Sequence, residues 1–142
     1  MLVCCVLLCL TGCGSNKEAQ RSVLRVGVVL YTQDDPFINA LTDCLKEDLE
    51  DYETDSLKII MTVRDGKNDQ KLQDEVVEEI LDAGCDILVV DLVDRTEPSN
   101  IIKMAKNENI PVIFFNREPV REDLMQWDKL YYVCLLYTSD AA

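Results

Sequence analysis

The stretch "RVGVVLYTQDDPFINALTDCL", Arg25 to Leu45, decides how this chain is read. An apolar, β-rich run from Leu24 to Leu30 has the composition of a buried strand. It stops at Tyr31, and two carboxylates and a second ring follow within six residues: Asp34, Asp35 and Phe37. From Pro36 to about Glu50 the period becomes helical, with Phe37, Leu41, Cys44, Leu45 and Leu49 on one face and acids opposite. A strand running directly into a helix marks a βα unit, and the polar cluster lies at the strand's carboxyl end.

Working outward, the same alternation repeats. Leu57 to Val63 reads as a second strand, and "NDQKLQDEVVEEILDAG" places Leu72, Val76 and Ile80 four apart before the terminator Gly84. "CDILVVD" is a third strand, and Ser99 to about Asn107 a short helix with Ile102 and Ala105 inward. "IPVIFFN" is a fourth strand ending at Asn116, and Leu130 to Val133 a weaker fifth. Strands apolar throughout and joined by helices predict a parallel sheet covered on both faces, a doubly wound α/β domain. Ligands of such sheets bind beyond the carboxyl ends of the strands. Those ends read Tyr31–Asp35, Arg64-Asp65, Asp91–Asp94 and Asn116-Arg117-Glu118.

With 142 residues there is room for about one domain, and 48% hydrophobic against 29% charged residues is a globular balance. The net charge of −13 repels nucleic acid and anionic lipid, so neither is an expected partner. Histidine is absent, which removes the commonest general base and metal ligand. Cys44 and Cys85 lie at apolar positions with no CxxC spacing and read as core residues, not as a zinc site.

The N-terminus carries a different signal. Leu2 to Leu10, in "MLVCCVLLCL", is too short to span a bilayer but suits the apolar part of a signal peptide. "LTGC", Leu10 to Cys13, resembles the lipobox of bacterial lipoproteins. There a small residue, here Gly12, precedes the cut and the following thiol, here Cys13, receives the lipid. "GSNKEAQRS" then reads as a polar tether. Two or more acyl chains anchor stably where one does not.

The cluster "YTQDDPF" admits three readings. Structurally, Asp35 is a helix N-cap, Pro36 suits the first helical position and Phe37 packs in the core. Enzymatically, Asp34, Asp35 and Asp91 are similar to the phosphoacceptor pocket of response-regulator receivers, where three carboxylates hold Mg²⁺ beside an aspartyl-phosphate. Against that reading, Asn116 stands where receivers carry Ser or Thr, and the lipobox directs export. In the third reading the cluster binds sugar. Rings suit the C–H face of a pyranose, and Asp, Asn and Arg suit its fringe of hydroxyls. "DDPF" and "FFN" supply both.

Taken in order, "RVGVVLYTQDDPF", "NDQKLQDEVVEEILDAGCDILVVDLVD", "NIPVIFFNREP" and "DKLYYV" resemble the periplasmic galactose/glucose-binding proteins, receptors of sugar ABC transporters with the type I periplasmic-binding fold. The resemblance implies that Asp35 takes a sugar hydroxyl, Phe37 stacks on one sugar face, Asn116 bonds sugar oxygens and Tyr31 edges the pocket. Arg117 stands where the family commonly has lysine, keeping the charge, and is expected among the ligand-binding residues. Asp34 is expected to support the loop or cap while Asp35 binds. The implied function is a substrate-binding lipoprotein, not an enzyme, that binds galactose- or glucose-type monosaccharides, with a ribose-like sugar as the alternative. It would work with an ABC permease and a chemoreceptor, lipid-anchored on the outer face of the cytoplasmic membrane or in the periplasm. The resemblance stops at Val133, where "CLLYTSDAA" reads as a non-native tail similar to translated sequencing-adapter read-through. The expected organisation is therefore a signal peptide over 1–13, a tether over 14–23, an N-terminal sugar-binding lobe over 24–133 and the tail over 134–142. The second lobe is missing, and with it the family's calcium loop, so no cofactor is expected here.

Overall fold

The computed structural model describes residues 21–134. The signal segment, Cys13, most of the tether and residues 135–142 lie outside the described residues. The body folds as β1 (Ser22–Leu30), α1 (Pro36–Asp51), β2 (Leu57–Asp65), α2 (Gln70–Asp82), β3 (Ile87–Val90), α3 (Ser99–Asn107), β4 (Val112–Phe115), α4 (Arg121–Leu124) and β5 (Leu130–Val133). All five strands are parallel, in the order β2-β1-β3-β4-β5. The doubly wound sheet expected from the alternating pattern is present.

This order places the helices. The chain steps one way from β1 to β2 and the other way from β2 through β3 and β4 to β5. Right-handed crossovers therefore put α1 on one face and α2, α3 and α4 on the other. Alternate strand residues supply the two cores. Val29, Leu88, Val90, Val112 and Phe114 pack with Val77, Ile80, Ile101 and Ile102 of α2 and α3. Val26, Val28, Leu30, Ile59, Val89 and Phe115 pack with Ile38 of α1. Because α1 alone serves the second face, an apolar groove lined by Leu41, Leu45, Val89, Ile113, Phe115 and Val133 stays open beside it.

Local chemistry sets the helix ends. Asp69 caps α2 by accepting the Leu72 N–H at 3.0 Å, and α2 ends on Gly84 at φ +82°, a left-handed conformation that glycine adopts without strain. At Gly27 strand and helix pack closely, and a Cβ there would clash with Ile80 Cγ2. Two expectations for α1 are corrected. Cys44 is exposed, and Phe37 is 39% exposed and not a core residue. The inward stripe is Ile38, Leu41, Thr42, Leu45 and Leu49, which places Phe37 and Cys44 on its flank. Thr42 can be buried because its hydroxyl donates to Ile38 O at 2.7 Å. Cys85 is buried as expected.

Candidate functional site

The strand order reverses direction between β1 and β3, and a crevice forms at such a switch point beyond the strands' carboxyl ends. Tyr31 and Asp35 leave β1 there, Asp91 leaves β3, and Asn116 and Arg117 leave β4.

Asp35 has two tasks, one for each oxygen. Oδ1 caps α1, accepting the N–H groups of Phe37 at 2.9 Å and Ile38 at 3.4 Å. Oδ2 accepts the Tyr31 hydroxyl at 2.6 Å. The Tyr31 bond, followed by the Phe37 N–H, holds the Asp35 carboxyl below the usual carboxylate range, and the same bond raises the Tyr31 phenol. The N-cap reading of Asp35 holds, and only the expectation that Asp34 supports the cap is corrected. The cap is Asp35, while Asp34 is exposed and its N–H donates to Thr32 Oγ1 at 3.2 Å. The capping geometry leaves the Phe37 ring on the first turn, part-exposed at the rim.

Opposite, the Asn116 backbone is left-handed, φ +59°, at the centre of a three-residue turn closed by Arg117 N–H to Phe115 O at 2.7 Å. For a non-glycine residue this is a strained conformation held by its surroundings. Tyr132 of β5 donates its hydroxyl to Asn116 O at 3.2 Å, and Asn116 Nδ2 donates to Asp91 Oδ2 and Oδ1 at 3.0 and 3.3 Å. Asp91 is wholly buried, and burial pushes its carboxyl up to about 6 against the lowering effect of Asn116 and Arg117.

Arg117 joins the two halves. Its Nη1 donates to Leu92 O at 3.2 Å and Val93 O at 2.7 Å, and its guanidinium lies 3.8 Å from the Tyr31 ring centroid. Thus Tyr31, Asp35, Asn116 and Arg117 are brought into one linked rim, with Phe37 adjoining through its N–H bond to Asp35.

A layer beneath was not anticipated from the sequence. Gln73 of α2 is fully buried and bridges β3's end, donating to Asp91 O at 2.8 Å and accepting from Val93 N at 2.9 Å. Gln70 accepts Asp94 N–H at 3.0 Å, and Asp94 accepts the Thr96 hydroxyl and N–H, which lowers its pKa. The available signal was a glutamine on the inward stripe of α2, between Leu72 and Val76.

The receiver-like triad does not assemble. Asp91 is closed over by Asn116 and Asp34 faces solvent. Among the described residues no group of three or more His, Cys, Asp or Glu side chains is gathered to hold a metal. The chemistry on offer is recognition: ring faces, an amide and a carboxylate, on a rigid sheet edge.

Comparison with known proteins agrees. Residues 26–136 match the model of the periplasmic binding protein domain. The chain is 34% identical over 120 residues to the D-galactose/methyl-galactoside binding periplasmic protein of Haemophilus influenzae, covering 84% of this chain and 35% of that one. It is 27% identical over 100 residues to the ribose import binding protein of Escherichia coli, covering 70% and 32%. It superposes with TM-score 0.58 and 26% identity on an ABC transporter solute binding protein of Bacillus halodurans with bound myo-inositol, covering 75% and 35%. The chain spans about a third of the length of the curated relatives it matches. With the family match extending over most of its length, the single parallel-sheet lobe is accounted for: this chain belongs to the periplasmic binding protein domain family, with the type I fold.

Proposed function

We propose that this chain is the N-terminal half-site of a monosaccharide-binding lipoprotein serving an ABC importer, with galactose or glucose as ligand. The observation that carries the reading is the pairing, across the β1/β3 switch point, of Asp35 and part-exposed Phe37 with Asn116. A ring for the sugar's C–H face stands beside acceptors for its hydroxyls. The match to a galactose/methyl-galactoside binding protein supports a hexose, while the weaker match to a ribose import binding protein keeps a pentose as the alternative. Arg117 is a brace more than a ligand in this reading, because Nη1 and its stacked face are already engaged. An ABC permease and a chemoreceptor are the proposed partners. The proposed location is the outer face of the cytoplasmic membrane or the periplasm, reached through the signal peptide and held by lipid on Cys13.

Type I binding proteins close one lobe over the other around ligand, so the test uses the complete two-lobed protein. Calorimetric titration with a monosaccharide panel is expected to give tightest binding with galactose or glucose. Preference for a pentose over both hexoses would overturn the hexose assignment, and no binding of any monosaccharide would overturn the sugar reading.

A further inference from the structure

We propose that Asp91 is a positioning residue: it fixes the Asn116 amide with its oxygen toward the ligand and thereby makes ligand affinity fall in acid. The proposal rests on the sugar-binding reading, and deepens it by naming which face of the amide is presented and what sets it.

Hydrogen-bond capacity sets the orientation of the Asn116 amide. An ionised carboxylate only accepts, so the Asn116 atom facing both Asp91 oxygens must be Nδ2. The opposite atom, Oδ1, accepts no hydrogen bond within the described residues. No buried side-chain polar atom there lacks a partner. Oδ1 is therefore open to solvent, an acceptor waiting for a hydroxyl. The turn backbone cannot readjust freely, since Arg117 N–H to Phe115 O and Tyr132 Oη to Asn116 O tie it on both sides. The remaining freedom is rotation of the amide about its own axis.

Protonated Asp91 reverses the requirement. Its new O–H needs an acceptor, and turning the amide over brings Oδ1 to it. Nδ2 then faces the crevice and a hydroxyl donor loses its partner. Among the described residues, three titratable groups face Asp91. Arg117, after β4, favours the ionised form, while Asp35 at the α1 N-terminus opposes it, and Tyr31 at the end of β1 is the third. From α2 comes only uncharged Gln73, bonded to the Asp91 carbonyl. Because Asp35 is held low and Tyr31 high, Asp91 is the member of this cluster that titrates in mild acid, at about 6.

Two measurements test this. In ¹⁵N and ¹³C spectra of the 142-residue chain, the Asn116 side-chain NH₂ signals should move with the Asp91 carboxyl carbon, at a shared midpoint near 6. Asp91→Asn should abolish that transition. In the complete two-lobed protein, galactose affinity should fall about tenfold between pH 7.5 and 5, following the ionised fraction of Asp91, and Asp91→Asn should flatten the profile. An Asn116 amide that ignores the Asp91 titration overturns the proposal. So does galactose binding that stays flat with pH in the wild type, or an Asp91→Asn protein with the wild-type slope. If no monosaccharide binds at any pH, the sugar reading fails, and the spectra still decide whether Asp91 sets the amide.

Discussion

The guanidinium of Arg117 lies 3.8 Å from the Tyr31 ring centroid while its Nη1 donates to the carbonyls of Leu92 and Val93. One side chain thus braces the ends of three strands: it leaves β4, holds the carbonyls beyond β3 and stacks on the residue that ends β1. Tyr31 in turn donates to Asp35, so the brace reaches the cap of α1.

Removing the brace should loosen the rim. Arg117→Ala loses a charge-assisted bond and a cation–π contact, together about 2 kcal/mol of stability. Arg117→Lys, a point charge without a planar fork, should recover only part of it. Urea unfolding of the three proteins measures this, and an alanine variant as stable as the wild type would remove Arg117 from the role of brace.

Asp35 separates its two tasks cleanly. Asn caps a helix about as well as Asp, so Asp35→Asn should keep α1 intact while weakening the oxygen that meets Tyr31 and, on the proposed sugar reading, a ligand hydroxyl. The expected loss is about tenfold to a hundredfold in hexose affinity of the two-lobed protein, with little change in melting temperature. Tyr31→Phe frees Oδ2 without touching the cap and should lose less. Wild-type affinity in Asp35→Asn would return Asp35 to the role of cap alone.

On the proposed lipoprotein reading, Cys13→Ala should abolish lipidation, leaving either a released protein or an uncleaved precursor. That reading places a polar tether between anchor and lobe, so folding and ligand binding should persist. Continued labelling of the variant by a palmitate analogue would refute the lipobox.

The elements legible in the sequence were those with a long apolar run or a sustained period. All five strands and helices α1, α2 and α3 were read within a few residues. Asp35, Phe37, Asn116 and Arg117 fell at strand ends where a doubly wound sheet gathers its ligands. The shortest helix and the compensated features were not legible. α4 is four residues long, less than the two turns over which a period can show. Thr42 breaks the apolar stripe of α1 because its hydroxyl is satisfied locally, which made Cys44 look like the inward residue. Asp35 as cap was legible from Pro36 after it, while the role of its neighbour Asp34 was not; the cap backbone is extended, with φ −89° and ψ 110°. Gln73 carried no local signal, because its partners lie 18 and 20 positions away.

Gln73 is open to a direct test. Gln73→Leu keeps the volume roughly constant but removes the partners of buried Asp91 O and part-buried Val93 N, at about 1–3 kcal/mol each before relaxation. A net loss of about 2–4 kcal/mol in urea unfolding is expected. A loss below about 0.5 kcal/mol would mean that water replaces the glutamine at both atoms.

The last prediction concerns stability against pH. Burial raises the Asp91 carboxyl from 3.8 to about 6, so the folded state binds its proton more tightly than the unfolded state does. The contribution of a raised group is fully present below the unfolded value and is lost as pH climbs through the folded one. Ionised Asp91 should therefore cost the fold on the order of 3 kcal/mol above pH 7, a shift of about two units at 1.36 kcal/mol each. Asp35 works the other way: its carboxyl is held low, and its contribution disappears only as pH falls below the usual carboxylate range. Between those limits the slope should belong mainly to Asp91. Asp91→Asn should be more stable than the wild type at pH 7.5, by roughly 1–3 kcal/mol, and equal to it near pH 4. Such a gain would show that the buried carboxylate is kept at a cost to folding, which fits a group whose task is to aim Asn116. Parallel stability curves for the two proteins from pH 4 to 8 would contradict the raised pKa and remove the acid sensitivity with it.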